Sequence, residues 1–321
     1  MTYRNGSAIP TLPEQSLSNS SELFQVYGQT PGYTPILVVA SIDETPIAKL
    51  QAVIRRSVRI FPPSLIKRCE IFGIGEYFND TYSQEELFGL MLEHLTNEVL
   101  KDCFLIEFRN LPTALFGYKH FRHTGYFPIN WIRVYSSLHN LSPEERLESK
   151  RKRQINRSFK YGVTLQEAQT EEDKKTFLQL LKLHYSSKLR KHFPDTKLFQ
   201  LLTQGSTTGN ISRIFTVKYK NRIIGGSFCM YSCDRAYLCF SFGLRKTFAW
   251  LHPNTMAIWA ALIDAYQRGY PHFEFIDAGL PFQKVGYRNF ILSFGGKQVS
   301  TRRWFRFRWE WINKLFTRLY Q

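Results

Sequence analysis

One short signature occurs twice in the sequence, and this repetition limits the folds that are open to the chain. Leu111-Pro112, four residues and Gly117-Tyr118-Lys119-x-Phe121 match Leu280-Pro281, four residues and Gly286-Tyr287-Arg288-x-Phe290. Each copy follows a short apolar stretch with a Glu-Phe pair, and the copies lie about half of the 321-residue chain apart. A fixed spacing that recurs together with its upstream strand indicates a duplicated domain.

The second copy predicts where a ligand binds. We expect a strand over 272–276, a loop carrying Asp277, Gly279 and Pro281, and then a helix that ends at Gly295-Gly296. Glycine tolerates the positive φ that a helix C-cap requires. A loop between a strand end and a helix N-terminus is a common ligand site in α/β sheets.

Composition bounds the class of protein. A chain of 321 residues that is 43% hydrophobic can bury two ordinary cores. The N-terminus lacks the basic-then-apolar order of a signal peptide, and no apolar run is long enough to span a bilayer. The five cysteines show no metal-ligand spacing, so we expect no metal and a reducing cytoplasm.

The net charge of +17 indicates an anionic partner. Much of it lies in two clusters, one over 146–160 and one over 302–308. Such clustering is typical of proteins that bind phosphate on a membrane surface, a nucleic acid or a phosphorylated substrate. A solvated basic face is the alternative.

The order of predicted elements is the same in both halves: strand, turn, strand, strand, helix, strand, helix. The resulting fold class is α/β (α+β), with two mixed sheets flanked by helices. We expect a loosely ordered lead-in over 1–32 and an N-terminal domain over 33–141. A basic linker helix over 142–162 and a C-terminal domain over 163–321 follow. Capping boxes at Ser83 and Ser142 predict two of the helix starts.

Several motifs resemble a known family. Four motifs resemble those of the Fem-type peptidoglycan-bridge aminoacyltransferases and related acetyltransferase-like domains. They are the basic helix that ends in Phe159-Lys160-Tyr161-Gly162-Val163, the strand Arg222–Gly226, the loop Leu251–Asn254 and the block from Phe275 to Gly296. The resemblance is closest over 146–300. It implies tandem GNAT-like domains and an acyltransferase that acts on an amine.

Two departures from the family pattern concern the donor. Ile291 and Ser293 stand where family members often carry basic residues, and the loop 245–254 lacks the R/Q-x-x-G-x-G/A pattern that holds coenzyme A. The resemblance therefore leaves acyl-CoA and aminoacyl-tRNA as alternative donors. Arg245, Lys246 and the helix N-terminus at Asn254 are the candidate cofactor-binding residues.

Acyl transfer to an amine needs a base, donors for an oxyanion and alignment of the reactants. Asp277 is the candidate base and Tyr287 the candidate acid, although Asp277 could instead cap a helix and Tyr287 could pack against the sheet. The candidate substrate-binding residues are Arg288, Lys284, His184, Tyr185 and Glu274. Of these, the alternation of Phe273, Glu274 and Phe275 favours a structural role for Glu274.

The C-terminal run from Trp304 to Trp311 alternates aromatic and basic residues, and it predicts a strand followed by a short amphipathic helix. Aromatic residues with arginine suit an anionic lipid surface, so a membrane is a candidate partner.

We interpret the chain as an N-acyltransferase that modifies an amine of a cell-envelope or polysaccharide precursor. It would be cytoplasmic and peripheral on the inner membrane face, with an anionic donor or acceptor and tRNA as a candidate partner. An acyl-CoA-dependent N-acetyltransferase of a small amine or sugar is one alternative. A non-catalytic RNA- or ligand-binding module is the other.

Overall fold

The computed structural model describes the chain apart from residues 5–9, 57–66, 110, 112, 187–192, 205–210, 277, 284–285 and 321. Its contacts divide the chain into two compact units. The first contains Met1–Trp131 and Ser300–Gln321, and the second contains Ile132–Val299. None of the helices in the described ranges has the length and apolar content needed to cross a bilayer.

The first unit is a mixed sheet with helices packed on it. Its described strands are β1 (Thr2–Arg4), β2 (Tyr33–Ile42), β3 (Thr45–Arg56), β4 (Lys67–Phe72), β5 (Glu76–Tyr77), β6 (Leu105–Arg109), the start of β7 (Phe127–Ser137) and the end of β13 (Lys297–Phe307). Its helices are α1 (Ser21–Gln29), α2 (Gln84–Val99), α3 (Tyr118–His123) and α10 (Glu310–Tyr320). The order in the sheet is β1-β2-β3-β4-β6-β13, and β4 runs parallel to β6.

Helical periodicity accounts for the core of this unit. Leu87, Met91 and Leu95 recur every four residues on α2 and are buried, as predicted for one face of an amphipathic helix. On α3, the ring of Phe121 meets that of Phe108 on β6 edge-on at 5.0 Å. Helix α2 starts after Ser83, as predicted, but the Ser83 side chain makes no capping hydrogen bond.

The N-terminal segment differs from the predicted loose lead-in. The Leu23 amide donates to Ser20 Oγ at 3.1 Å, which caps α1. Phe24 on that helix packs against Leu37 and Val39 of β2. Local composition suggested a polar tail, but these contacts tie α1 to the sheet.

The second unit repeats the plan. Its described strands are the end of β7, β8 (Thr164–Glu167), β9 (Ser212–Tyr219), β10 (Arg222–Tyr231), β11 (Arg235–Gly243) and β12 (His272–Phe275), together with the first residues of β13. Its helices are α4 (Pro143–Arg146), α5 (Ser149–Lys160), α6 (Glu171–Ser186), α7 (Thr196–Thr203), α8 (Pro253–Gln267) and α9 (Gly286–Leu292). The order is β7-β12-β11-β10-β9-β8, and β11 runs parallel to β12.

Helix α8 is the centre of the second core. Its apolar residues surround most of its circumference, as predicted for a buried helix, and Met256, Ile258 and Leu262 have no exposed surface. Helix α5 packs beside it through Ile155, and Ser158 Oγ donates to the Leu251 carbonyl at 2.9 Å.

The hairpins of both halves turn in the same way. Asp43 and Glu44 connect β2 to β3, Lys220 and Asn221 connect β9 to β10, and all four residues have positive φ. Two consecutive residues with positive φ are typical of the type I′ turn, whose twist matches that of the paired strands. The predicted order of elements is therefore present in both units.

The ends of the halves differ from the predicted boundaries. β13 pairs antiparallel with β6, with Trp304 opposite Phe108, so 300–321 belongs to the first unit and not to a domain over 163–321. Conversely, β7 pairs with β12, with Ser136 opposite Phe273. The last strand of each half thus completes the sheet of the other half.

The basic linker is two helices and not one. The capping box at Ser142 is present and starts α4, which ends at Arg146. Extended backbone at Leu147 and Glu148 then separates α4 from α5.

Candidate active site

The second unit has an open strand edge at the centre of its sheet. β11 pairs with β12 over only four residues, from Arg235 opposite His272 to Leu238 opposite Phe275. β11 continues to Gly243 and stays paired with β10 on its other side. In the described residues, no strand pairs with the β12-facing edge of 239–243. Part of the segment is engaged in other ways, because Tyr185 hydrogen-bonds with the Ser241 backbone and the Gly243 carbonyl accepts from the Arg245 amide at 2.8 Å.

A β-bulge lies where the two strands separate. Opposite β11, the consecutive β10 residues Phe228 and Cys229 pair with Phe240 and Leu238, so Cys239 is the extra residue. A bulge bends its strand and increases the local twist, which accounts for the departure of β11 from β12. Burial raises the pKa of the Cys239 thiol to about 12, so this cysteine is protonated at neutral pH and is not a nucleophile.

Helix α6 places two predicted residues against this edge. The Tyr185 hydroxyl hydrogen-bonds with the backbone of Ser241, and its ring lies 5.5 Å from that of Phe240. Burial raises the pKa of Tyr185 to about 12, which keeps its hydroxyl protonated. The His184 ring lies 6.3 Å from Phe242. Both residues therefore contact the open segment of β11.

The N-terminus of α8 lies directly against the end of β11. A Cβ atom at Gly243 would be 2.2 Å from Asn254 Oδ1 and 2.5 Å from the Asn254 amide, so the helix can approach this closely only at a glycine. Arg245 and Lys246 are exposed in the loop between the two elements. The predicted cofactor-binding residues are thus close to one another in the fold.

The first turn of α8 offers few donors to a phosphate. Pro253 has no N–H, and the amides of Thr255 and Met256 donate to the His252 carbonyl at 2.9 and 3.1 Å. The positive charge beside this turn comes instead from arginine side chains of α5. Burial, Arg157 and Arg151 all lower the pKa of His252, which places these cations near it.

The outer face of α5 is strongly cationic. Its exposed basic side chains are Lys150, Lys152, Arg153, Arg157 and Lys160. Arg151 differs from them, because its Nε donates to Ser293 Oγ at 2.6 Å and its guanidinium lies 4.6 Å from the Phe290 ring centre. This face can attract a polyanion near the α8 N-terminus.

The loop after β12 is held by Arg288. This side chain is 8% exposed and donates to the carbonyls of Ala278 at 2.9 Å and Pro281 at 3.2 Å, and also to that of Leu280. These contacts favour a role in loop structure over substrate binding. Asp277 and Lys284 lie outside the described residues.

Other predicted residues of this region are in the interior or beside it. Tyr287 is partly buried against the core of the second unit, 6.5 Å from Phe290 between ring centres. Ile291 has no exposed surface and belongs to that core. A basic residue at position 291 would therefore be buried here, so this departure reflects packing and says little about the donor.

Glu274 is part of a buried ion-pair cluster. It accepts from Arg133 Nε at 2.8 Å and from Nη2 at 2.7 Å, and Arg235 Nη1 lies 3.3 Å away. Its carboxylate lies on the sheet and is already bound by two arginines, which favours the structural interpretation. Glu107 repeats this arrangement in the first unit, with Arg109 Nε at 2.8 Å and Arg303 Nη1 at 3.1 Å.

The first unit has no comparable opening in its described part. β4 pairs with β6 as far as its last residue, Phe72, which lies opposite Arg109. The open edge is therefore a feature of the second unit. The bulge that creates it was not predicted, because the residues from Tyr237 to Phe242 have the pattern of a regular apolar strand.

The candidate active site is thus a bulged strand that separates from its parallel neighbour beside a helix N-terminus. Residues 147–284 match the sequence model of the family described as Acetyltransferase (GNAT) domain. The second unit thus carries a GNAT acyltransferase domain, and the expected enzyme class is confirmed.

Solved structures share the fold over most of the chain. FemX is similar at a TM-score of 0.64 and 11% identity, with 94% of each chain covered. The C-terminal domain of a putative lysylphosphatidylglycerol synthetase from Agrobacterium fabrum is similar at a TM-score of 0.57 and 12% identity, with 83% of each chain covered. A tandem GNAT protein from the clavulanic acid biosynthesis pathway is similar at a TM-score of 0.55 and 10% identity, covering 87% of this chain and 85% of its own.

These similarities confirm the predicted tandem GNAT-like fold, which the chain shares with FemX. No curated protein matches the chain.

Proposed function

We propose that this protein transfers an acyl or aminoacyl group to an amine of a cell-envelope or polysaccharide precursor. The observation that carries the proposal is the open edge of β11 at 239–243 beside the N-terminus of α8. An acyl donor aligned along this edge would hydrogen-bond with backbone groups that no neighbouring strand engages, and the amine would attack its carbonyl carbon.

The reaction needs two proton transfers. Asp277 would take a proton from the attacking ammonium, and Tyr287 would return one to the leaving thiolate or alkoxide. A backbone N–H of the open β11 edge would stabilise the oxyanion that forms on the carbonyl. Tyr185 and His184 would contact the acceptor, since both lie against this segment.

The charge distribution favours a donor that carries several phosphates. Arg157, Arg245 and Lys246 surround the start of α8, whose own amides are mostly engaged. Coenzyme A and tRNA both supply such a polyanion. The lysyl group in the name of one structural neighbour makes an aminoacyl donor the first to be tested.

The proposal is tested by transfer of a labelled acyl group. The chain is incubated in turn with acetyl-CoA and with charged tRNA, each together with an amine-bearing lipid-linked sugar precursor. We expect transfer with one donor, and thermal stabilisation of the protein by that donor alone. Asp277→Asn should lower kcat about 100-fold or more, whereas Asp80→Asn, which changes an exposed carboxylate of the first unit, should not.

An RNA-binding module without chemistry is the second candidate, and the cationic face of α5 favours it. It predicts binding of arbitrary RNA with a steep salt slope that falls by about one for each cation removed. Lys152→Gln with Arg153→Gln should then lower the slope by about two, whereas Lys220→Gln at a hairpin turn should leave it unchanged. Acyl transfer that is insensitive to RNA would exclude this candidate.

A further inference from the structure

The outer face of α10 exposes a continuous apolar stripe. Trp311, Leu315 and Leu319 recur every four residues, which places them on one side of the helix. Their exposed fractions are 66%, 50% and 66%. Single exposed apolar residues are ordinary, but large ones aligned over more than two turns mark an interaction surface.

The opposite face of α10 fixes this orientation. Asn313 is buried; its Nδ2 donates to the Gly125 carbonyl at 2.6 Å, and its Oδ1 accepts from the Phe307 amide at 3.2 Å. The Phe316 ring packs on Phe307 at 4.9 Å. Because these contacts hold the helix from the inner side, the stripe of Trp311, Leu315 and Leu319 faces outward.

Positive charge runs beside the stripe. Lys314 and Arg318 are exposed and lie along one side of it, and Arg308 is exposed just before the helix. Glu310 is the acidic residue of α10, and Arg306 binds its carboxylate at 2.8 Å. The surface therefore combines an apolar stripe with a net cationic flank.

We propose that α10 docks the protein on an anionic lipid surface, with Trp311, Leu315 and Leu319 in the headgroup region and Lys314 and Arg318 on the phosphates. An amphipathic helix with tryptophan and leucine on one face and basic residues beside it is the arrangement that such surfaces bind. Of the aromatic residues in the preceding strand, Trp304 and Phe305 do not contribute, because both are buried.

A second copy of the chain is the less suitable occupant. Two such helices packed on their stripes would bring Lys314 and Arg318 of both copies together, and like charges at an interface disfavour the pairing. Three side chains also supply much less than the ~800 Å² per partner of a standard interface. An anionic bilayer meets the same cations with opposite charge.

Co-sedimentation with vesicles tests the proposal on the full chain. We expect binding to vesicles of phosphatidylcholine with phosphatidylglycerol and little binding to phosphatidylcholine alone. Trp311→Ser, Leu315→Ser and Leu319→Ser together should weaken binding about 100-fold or more. Lys314→Gln with Arg318→Gln should weaken it about 30-fold, since each cation contributes about a factor of five.

Leu90→Ser with Leu115→Ser is the matched control, because these leucines of the first unit are also exposed but form no stripe with α10. It should bind vesicles as the unchanged protein does, and circular dichroism should report a folded chain for every variant. Full binding by the triple variant would overturn the proposal. So would a dimer of the unchanged protein that the triple variant converts to a monomer.

Docking of α10 on lipid is independent of acyl transfer, and separate measurements test the two. Acyl transfer between water-soluble donor and acceptor analogues should be unaffected in the α10 variants. Loss of that transfer in Asp277→Asn, in turn, should leave vesicle binding intact.

Discussion

Replacement of Glu274 by methionine distinguishes two roles for this carboxylate, one in the structure of the sheet and one in substrate binding. Glu274 is 2% exposed and makes two hydrogen bonds with Arg133, and Arg235 lies within ion-pair distance. The substitution leaves the two guanidinium groups without this carboxylate. Removal of one partner from a buried ion pair costs about 3–5 kcal/mol, and we expect the free energy of unfolding to fall by that amount.

Two further variants, Arg133→Met and the double variant with Glu274→Met, measure the interaction between Glu274 and Arg133. Arg133→Met should cost about 1.5–3 kcal/mol, which is less than Glu274→Met, because Arg235 still neutralises the carboxylate. The double variant should lose less free energy of unfolding than the two single variants lose in total, by at least about 2 kcal/mol. The reason is that an apolar pair of similar volume replaces the ions.

Urea unfolding followed by near-UV circular dichroism measures these changes, together with KM for each variant. Glu167→Met is the matched control, because its carboxylate pairs with Arg213 at a more exposed site of the same unit; it should cost at most about 1 kcal/mol. Effects of Glu274→Met and Arg133→Met that add within about 0.5 kcal/mol would refute the reasoning. An unchanged stability with a raised KM would show that Glu274 binds substrate.

Two further predictions concern the helix approach and acid stability. Gly243→Ala should cost about 1–3 kcal/mol in thermal or urea unfolding, because the new Cβ would meet Asn254, whereas Gly286→Ala, which has open space, should be nearly neutral. Burial would raise the pKa of Glu70 and Glu107, but neighbouring arginines outweigh it and hold both pKa values below the usual range. The stability that these carboxylates contribute is thus fully present above about pH 5. It begins to fall near pH ~4.3, the pKa of an unfolded glutamate, and is lost as the pH drops further through the lowered pKa values of the folded state. Glu70→Gln with Glu107→Gln should flatten that profile, and a profile as steep as before would contradict the assignment.

Local signals in the sequence predicted much of the fold. The turn residues Asp43-Glu44 and Lys220-Asn221, the capping box at Ser142 and the all-round apolar character of 254–267 each act within a few residues. These local features determine individual elements, and the repeated signature shows that two sets of elements follow one plan. The tandem α/β architecture could therefore be predicted.

Long-range pairing accounts for what could not be predicted. Nothing near Trp304 indicates that its strand pairs with Phe108 and not within its own half. The bulge at Cys239 depends on the register between β10 and β11, and the residues alone do not determine that register. Arg288 is a cationic side chain beside a predicted ligand loop, so the sequence favours ligand binding. Only its hydrogen bonds to the carbonyls of that loop show that it holds the loop in place.

The pairing of β13 with β6 has a consequence for biosynthesis. Residues 300–307 emerge from the ribosome nearly two hundred residues after β6, so β6 has no partner on that side until then. The sheet of the N-terminal half stays incomplete until β13 pairs with β6. A chain truncated at 299 should therefore be bound by chaperones or aggregate through the open edge of β6. The sheet of the first unit can therefore close only after residues 300–307 have been synthesised.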